Sequence, residues 1–212
     1  VEHCTAPPVG VGLKDIVMTP NHAMLTIHEI VAHPTELDRV VGYEANYAGT
    51  SFVKMDDIGK RVMGSKLFNV TADRTMAGGM GTVGYDDDGV KSGSWPLVRE
   101  GTLVGLQTNR ETAHYIGEKE SRGCTFATSW RNYPFLRMPN VHVDPGPTGS
   151  PTPEEIIADT RAFGDPGLAV IVGIDARHDA QQRRLSRTVD TEHADLRVGI
   201  ELQMDVFQDL AV

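Results

Sequence analysis

Two histidines and a glutamate lie close together in the run His28-Glu29-Ile30-Val31-Ala32-His33. Neutral imidazoles are common zinc ligands, and a neighbouring glutamate can take a proton from a water whose pKa the metal lowers to about 7. These residue types therefore indicate a metal-dependent hydrolase, with His28 and His33 as the metal ligands and Glu29 as the general base. The alternative is a core helix with two hydrogen-bonded histidines.

The spacing of the two histidines differs from that of the helical H-E-x-x-H motif, in which they are four residues apart. On a regular α-helix a spacing of five would separate the side chains by roughly 140°. Because a residue that precedes proline is pushed out of the α region, Pro34 predicts that the helix ends near Ala32. We expect His33 to lie on a turned corner and to point back toward His28.

The H-E-x-x-x-H motif and several later segments resemble the TldD/PmbA metallopeptidases, a family also called modulators of DNA gyrase. The similarity extends to about Ile157 and includes these segments: residues 42–52, Asp86-Asp87-Asp88-Gly89, residues 103–110 and residues 134–140. The resemblance implies a cytoplasmic, zinc-dependent peptidase that acts on small or unfolded peptides. It also implies a homo- or heterodimer with a TldD/PmbA-type subunit, with zinc on His28 and His33 and catalysis by Glu29.

Two features depart from the family pattern. Members of the family are longer, and this chain starts just before the metal helix, which predicts an internal fragment. The family's third zinc ligand, a cysteine in a late N-C-G-K segment, has no counterpart here. A catalytic zinc normally has three protein ligands and a water. Cys124 is the one downstream thiol that could replace the missing ligand.

Three functions remain open on these grounds. The first is a zinc peptidase, or its catalytic fragment, in which Glu29 acts as general base on a metal-bound water. The second is a catalytically incompetent subunit that binds peptides, and the third is an inactive truncated product. The intact motif favours the first function over the second, whereas the absent cysteine favours the third.

Composition limits the partners. With 212 residues and 40% hydrophobic content, the chain can bury one sizeable core. Its net charge of -9 argues against nucleic acid and anionic membranes as partners. No apolar run approaches the length of a membrane span and the first residues lack the pattern of a leader, so neither a membrane span nor a signal peptide is expected. The two cysteines, Cys4 and Cys124, make no disulfide framework, which is typical of a reducing compartment.

The order of elements predicts an α+β fold: an antiparallel β meander or partial barrel with a metal-motif helix and a few short helices. Asn21 is the predicted cap of the metal-motif helix, and Pro34–Val40 is a second short helix. The predicted strands are Asp15–Met18, Leu67–Ala72, Gly81–Tyr85, Ser94–Arg99 and Thr102–Gln107. Turns are expected at Gly78-Gly79, Asp88-Gly89 and Glu100-Gly101.

Further along the chain, Asn109–Ile116 is predicted to be helical, with Thr108 or Asn109 as cap. A proline-rich loop, residues 144–151, precedes the capping box Thr152-Pro153-Glu154-Glu155, which predicts a helix to about Phe163. Leu168–Ile174 is an apolar strand. We assign residues 1–174 to the metallopeptidase-like core and residues 175–212 to a divergent tail.

Other candidate residues have both a functional and a structural interpretation. Glu44, Asn46 and Tyr47 could contact a substrate backbone or a ligand histidine. Arg137 could bind a peptide carboxylate, although a structural ion pair is the simpler interpretation. Four aromatic residues could line a peptide groove or fill the core: Trp95, Trp130, Tyr133 and Phe135. His114 and His142 are interpreted as ordinary surface or core histidines.

Two glycine-containing motifs have a structural interpretation. Residues 79–84 spell G-x-G-x-x-G, but no helix follows to bind a phosphate. Asp86-Asp87-Asp88-Gly89 lacks the spacing of a calcium loop and has the composition of a hairpin turn.

Overall fold

The structure is a computed structural model, and it describes the following residues: 16–152, 154–156, 170–174 and 183–186. The chain divides into two compact units. The first comprises Val1–Thr26 with Gly146–Leu196, and the second comprises Ile27–Pro145 with Arg197–Val212. Short helices and mainly antiparallel strands confirm the predicted α+β class.

Helices α1 (Pro20–Ile27) and α2 (Leu37–Val40) have a π-helix at His28–Ala32 between them, and residues 154–156 are also α-helical. Short 3₁₀ turns occur at His33–Thr35, Met55–Asp57 and Ala113–Ile116. The strands are β1 (Ile16–Met18), β2 (Val70–Asp73), β3 (Ser94–Arg99), β4 (Thr102–Leu103), β5 (Thr125–Phe126), β6 (Phe135–Leu136), β7 (Asn140–Val143), β8 (Val170–Ile174) and β9 (Arg183–Ser186).

The first unit contains a three-stranded sheet in the order β1-β8-β9. Strand β1 pairs in parallel with β8, and β8 pairs antiparallel with β9. Strands β1 and β8 confirm the two strands predicted here. The capping box also forms, because Thr152 and Glu155 each accept the other's backbone N–H through a side-chain oxygen. The rest of that predicted helix, beyond residue 156, and the predicted tail other than β9 lie outside the described residues.

Helix α1 begins earlier than predicted. The backbone N–H groups of His22 and Ala23 donate to the carbonyl oxygen of Thr19 at 3.0 and 2.9 Å. Pro20, whose fixed φ suits the first helical position, follows directly. The cap position therefore belongs to Thr19, and the prediction of Asn21 as the cap is wrong.

A four-stranded antiparallel sheet forms the centre of the second unit, in the order β4-β3-β2-β7. The hairpin of β3 and β4 turns at Glu100 and Gly101, whose φ angles of 46° and 74° are those of a type I′ turn. The predicted strand at Ser94–Arg99 and the predicted turn are thus confirmed. The last predicted strand is shorter than expected and ends at Leu103.

The buried face of this sheet packs into a single hydrophobic cluster. Its fully buried members from the strands include Val70, Ala72, Leu97 and Leu103. Val31, from the metal-motif segment, belongs to the same cluster. Burying a Val or Leu side chain contributes about 1.5–3 kcal/mol relative to leaving it exposed. The motif segment is therefore anchored on the same core as the sheet.

The strand predicted at Gly81–Tyr85 is wrong, and Asn140 explains why. The backbone N–H of Gly81 donates to the Asn140 side-chain oxygen at 2.8 Å, and the Asn140 amide donates to the carbonyl oxygen of Asp73 and to Thr82 Oγ1. A Cβ at Gly79 or Gly81 would collide with Asn140. The G-x-G-x-x-G glycines thus permit close approach to a side chain, and β7 takes the place beside β2.

The acidic run after these glycines forms the expected tight turn. One side-chain oxygen of Asp86 accepts the N–H groups of Asp88 and Val90, and the other accepts the N–H of Thr125. Gly89 closes the turn with φ of 72°. Nearly buried Asp86 is therefore a structural residue that ties the turn to β5.

The segment after β4 is less helical than predicted. The side-chain oxygen of Asn109 accepts the N–H of Thr112 at 2.9 Å, but the helical turn is the 3₁₀ stretch Ala113–Ile116, whose cap residue is Thr112. Gly117 ends it with φ of 75°. No helix within the described part of the chain is long and apolar enough to cross a membrane.

Candidate metal centre

A π-turn carries the two motif histidines. Helix α1 ends at Ile27, the chain continues as a π-helix through Ala32, and the N–H of His33 donates to the carbonyl oxygen of His28. A hydrogen bond from residue i+5 to residue i brings residues five apart into successive turns. The rings of His28 and His33 accordingly lie 4.6 Å apart between centroids.

The sequence predicts that Pro34 ends the helix and so turns His33 back toward His28, and this explanation is wrong. Pro34 does not push His33 out of the helical region, because His33 has φ of -61° and ψ of -44°. The helical chain continues into the 3₁₀ turn His33–Thr35 and stops at Glu36, which is extended. Proline has no N–H to extend the π pattern, so the last such bond comes from His33.

The carboxylate of Glu29 lies beside the two rings. Its Oε1 is 3.8 Å from His28 Nε2, and one ligand atom from each of His28, Glu29 and His33 lies within 4.8 Å of the other two. We call these three residues the trio. The side chains of His28 and Glu29 are 44% and 56% exposed, whereas that of His33 is 21% exposed. Solvent therefore reaches the trio.

The donor set of the trio fits a divalent metal such as zinc. Two imidazole nitrogens and a carboxylate oxygen are ligands that zinc accepts. Among the described residues, the trio is the group of three His, Cys, Asp or Glu side chains whose possible ligand atoms all lie within 4.8 Å of one another. If Glu29 is the general base, as the sequence suggests, the trio offers two histidine ligands, one fewer than the three protein ligands typical of catalytic zinc.

Glu36 is a buried acid that contacts the ring of His33. Its side chain is fully buried, and its Oε2 is 2.8 Å from His33 Nδ1. The same oxygen forms an ion pair with Arg39 Nε at 2.6 Å, and Oε1 accepts the backbone N–H of Met138 at 3.0 Å. These three contacts of the carboxylate are with nitrogen atoms, and they join the stretch from His33 to Arg39 to Met138.

Thr35 and Gln107 hold the carbonyl groups at the end of the π-turn. Thr35 Oγ1 donates to the carbonyl oxygen of Val31 at 2.8 Å, and the buried Gln107 amide donates to the carbonyl oxygen of Ala32. The backbone N–H of Gln107 donates in turn to Thr35. Buried carbonyl groups need such partners when the regular helical ladder ends. The turn is therefore supported by side chains from outside it.

Glu44 and Arg137 form an ion pair with each other, at 3.4 Å between Oε2 and Nη1. The Arg137 guanidinium also stacks 3.9 Å from the centroid of the Phe135 ring, and Tyr47 meets that ring edge-on. These contacts support the structural interpretation of Arg137. Asn46 lies on the surface, and any contact of these residues with substrate stays a prediction.

The aromatic and histidine candidates fall into different environments. Trp95 is a core residue, as the structural interpretation predicts, whereas Trp130 and Tyr133 are exposed. His114 is exposed and packs against Tyr115, and half-buried His142 lies 3.6 Å from Asp144. None of these side chains belongs to the trio.

Cys124 is fully buried in the hydrophobic cluster of the second unit. Burial raises the pKa of its thiol to about 12, which disfavours the thiolate that a metal requires. It is not part of the trio. The structure therefore argues against Cys124 as a replacement for the missing ligand.

Asp38 is a buried acid near Glu36. Burial, with a further contribution from the negative charge of Glu36, raises the pKa of Asp38 to about 7. Its Oδ1 accepts the backbone N–H of Arg39 at 2.8 Å. Asp38 is thus an acid whose charge depends on pH near neutrality.

The sequence arguments missed Glu36 and Gln107. In the sequence, Glu36 falls within the predicted short helix Pro34–Val40, where an acid near the start favours the helix dipole. A signal was present, because an acid three residues after a candidate ligand histidine can reach its second ring nitrogen. Gln107 follows the β3–β4 hairpin, and nothing in the sequence around it indicates a contact with the π-turn.

An α+β domain that presents two histidines and a glutamate on one helical turn has the composition of a metallopeptidase centre. Residues 12–191 match the family described as the PmbA/TldA metallopeptidase C-terminal domain, and the chain belongs to that family.

Similar proteins agree with this assignment. The metalloprotease MJ0996 of Methanocaldococcus jannaschii is 32% identical over 156 residues, which are 74% of this chain and 32% of that protein. The zinc metalloprotease TldD homolog of Saccharolobus solfataricus is 26% identical over 136 residues, 64% of this chain and 28% of that protein. The chain thus spans about a third of the length of these relatives.

A solved structure shares the fold. The putative modulator of a DNA gyrase from Thermotoga maritima matches with a TM-score of 0.54 at 16% identity, over 86% of this chain and 41% of that one.

Proposed function

We propose that this chain carries the metal-binding residues and the general base of a zinc-dependent peptidase that cleaves small or unfolded peptides. The observation that carries the proposal is the convergence of His28, Glu29 and His33 in a chain of a metallopeptidase family. The name of the Saccharolobus relative, a zinc metalloprotease, supports zinc as the ion.

In this proposal His28 and His33 hold the ion, and Glu29 moves the proton. A bound zinc ion lowers the pKa of water and polarises a carbonyl group. The exposed Glu29 carboxylate accepts the proton of the water that attacks the peptide carbonyl, and it then delivers that proton to the leaving amine. The exposure of the trio gives an unfolded peptide access to these groups.

The third ligand is proposed to lie outside the trio, in another part of the whole protein or in a partner subunit. Two observations support this: the trio contains two histidines, and Cys124 is buried in the core. A homo- or heterodimer with a TldD/PmbA-type subunit in the cytoplasm, as the resemblance implies, belongs to the same proposal. A net charge of -9 supports peptides rather than nucleic acid or anionic membranes as partners.

A second function, a peptide-binding subunit without catalysis, is favoured by the same shortage of ligands. One experiment separates the two functions. Unstructured fluorogenic peptides are incubated with the full-length protein after chelation and after zinc is restored. A peptidase cleaves them only with zinc, whereas a binding subunit retains them uncleaved. Cleavage that continues without zinc and in Glu29→Gln would overturn the peptidase proposal.

A further inference from the structure

Of the contacts that the two motif histidines make with carboxylates, the shorter is the one between His33 and Glu36. His33 Nδ1 lies 2.8 Å from Oε2 of a carboxylate whose side chain is 0% exposed. The ion pair with Arg39 favours the ionised form of Glu36. An ionised carboxylate can only accept a hydrogen bond, which favours the tautomer of His33 with its proton on Nδ1. In a neutral imidazole the other nitrogen, Nε2, then keeps its lone pair.

We propose that Glu36 is the positioning residue of the metal centre, fixing the tautomer and the orientation of His33 so that Nε2 faces the ion. This inference rests on the proposed function, in which His33 is a ligand. A carboxylate that receives the second N–H of a ligand histidine commonly orients the ring and strengthens it as a ligand.

The surroundings of Glu36 make it a rigid support. Arg39, its ion-pair partner, also donates from Nη1 to the carbonyl oxygen of Ala48 at 2.9 Å. The backbone N–H of Met138 holds the other carboxylate oxygen. Because the buried carboxylate is held directly by Arg39 and Met138, and Arg39 is itself bound to Ala48, the carboxylate has little freedom to leave His33.

The two motif histidines differ in their exposure and in how firmly other side chains hold their rings. The charged contact of His28 is with exposed Glu29 at 3.8 Å, beyond hydrogen-bond distance, and the His28 side chain is 44% exposed. His33 is half as exposed and is held by Glu36. We infer that His33 is the preorganised ligand and that His28 completes its orientation when the ion binds.

Glu36→Gln is the direct test. An amide has one accepting oxygen and one donating nitrogen, so it cannot accept from both His33 and Met138. When the oxygen stays with Met138, the amide nitrogen faces Nδ1 and favours the tautomer with the proton on Nε2. We expect zinc affinity, measured by competition with a chromophoric chelator, to fall about 10- to 100-fold.

Glu118→Gln is the matched control. Glu118 is a largely buried acid that pairs with Arg122 at 2.7 Å and lies outside the trio. Its loss should leave zinc affinity unchanged.

A second measurement needs no metal and no activity. The ¹⁵N chemical shifts of the His33 ring in the zinc-free protein report which nitrogen carries the proton. We expect Nδ1–H in the parent and a shift toward Nε2–H in Glu36→Gln. The parent spectrum decides the matter even when the variant does not fold.

The outcomes are distinct. An Nε2–H tautomer in the parent, or parental zinc affinity in a folded Glu36→Gln, would overturn the positioning role. A full-length parent that shows the Nδ1–H tautomer but binds no zinc would refute the proposed function and leave the Glu36 contact standing.

Discussion

The imidazole rings of His28 and His33 are nearly perpendicular, with 89° between their planes and 4.6 Å between their centroids. Five positions separate these residues, and the hydrogen bond from His33 N–H to the His28 carbonyl oxygen closes the turn between them. A spacing that an α-helix would place on different faces is thus compatible with one shared ion. Each motif residue can then be tested for a separate role.

Glu29→Gln tests the division of labour within the trio. The amide keeps the shape of the side chain and leaves both histidines in place, but it cannot accept the proton. We expect the zinc content to be unchanged and peptide hydrolysis by the full-length protein to fall by roughly 10² to 10⁴. Glu154→Gln, at an exposed glutamate outside the trio, is the control. Parental turnover in Glu29→Gln would remove the general-base role.

His33→Ala tests the ligands. We expect this variant to lose zinc and hydrolysis together, because one imidazole cannot hold the ion. His114→Ala, which removes an exposed histidine outside the trio, should keep both. Elemental analysis after gel filtration measures the zinc content, and peptide cleavage measures the activity.

How well the isolated chain retains zinc tests whether it lacks a third protein ligand. Two imidazoles bind zinc less tightly than a three-ligand site does, so the isolated chain should lose its metal in dilute chelator. Elemental analysis after such treatment measures the loss. Stoichiometric zinc in the treated chain would reveal a third ligand, and Cys124→Ala would show whether that ligand is the buried thiol.

Asp38→Asn tests the raised pKa of this buried acid. Between its ordinary pKa of 3.8 and about 7, Asp38 holds a proton in the folded chain but not in the unfolded chain. The stability that this proton confers is fully present below pH 4 and is lost as the pH rises toward 7. We expect Asp38→Asn to remove that slope and to raise the free energy of unfolding at pH 8, by up to about 4 kcal/mol.

Urea unfolding at several pH values between 5 and 8, without metal, measures this difference. Asp56→Asn removes an exposed carboxylate and should leave the slope as it is in the parent. Equal slopes in Asp38→Asn and the parent would show that Asp38 is ionised in the folded state at pH 5.

The reactivity of Cys124 follows from its burial. A thiol with a pKa of about 12 has almost no thiolate at pH 8, and core packing keeps reagents away from it. In a Cys4→Ser background, we expect an aromatic disulfide reagent to label Cys124 no faster than the protein unfolds. Rapid labelling follows when guanidinium is added. Immediate labelling of the native protein would show that the thiol is accessible.

Local sequence signals predicted much of the fold. Ser94–Arg99, the turn at Glu100-Gly101, the Asp86 turn and the capping box of Thr152 with Glu155 each depend on neighbours in the chain. The identities of the trio residues were also apparent, because H-E-x-x-x-H is a contiguous motif. Such features need no knowledge of distant residues.

The features that the sequence did not reveal depend on distant residues. The segment Gly81–Tyr85 has the alternation of a strand, but the Asn140 side chain binds its backbone. The π-turn is supported by Gln107, and Glu36 is held by Met138. No local pattern of apolar residues records contacts across such separations in sequence, and tertiary contacts override local propensity.

The π-turn has a consequence for aligning distant sequences. A helical turn that gains one residue can change from i+4 to i+5 hydrogen bonding, so the two histidines can still face each other. When H-E-x-x-H is aligned with H-E-x-x-x-H, the gap of one position then corresponds to a change from i+4 to i+5 hydrogen bonding. The two histidines of one motif still correspond to the two histidines of the other. Comparisons that penalise this gap as an ordinary insertion will miss the correspondence between the two kinds of site.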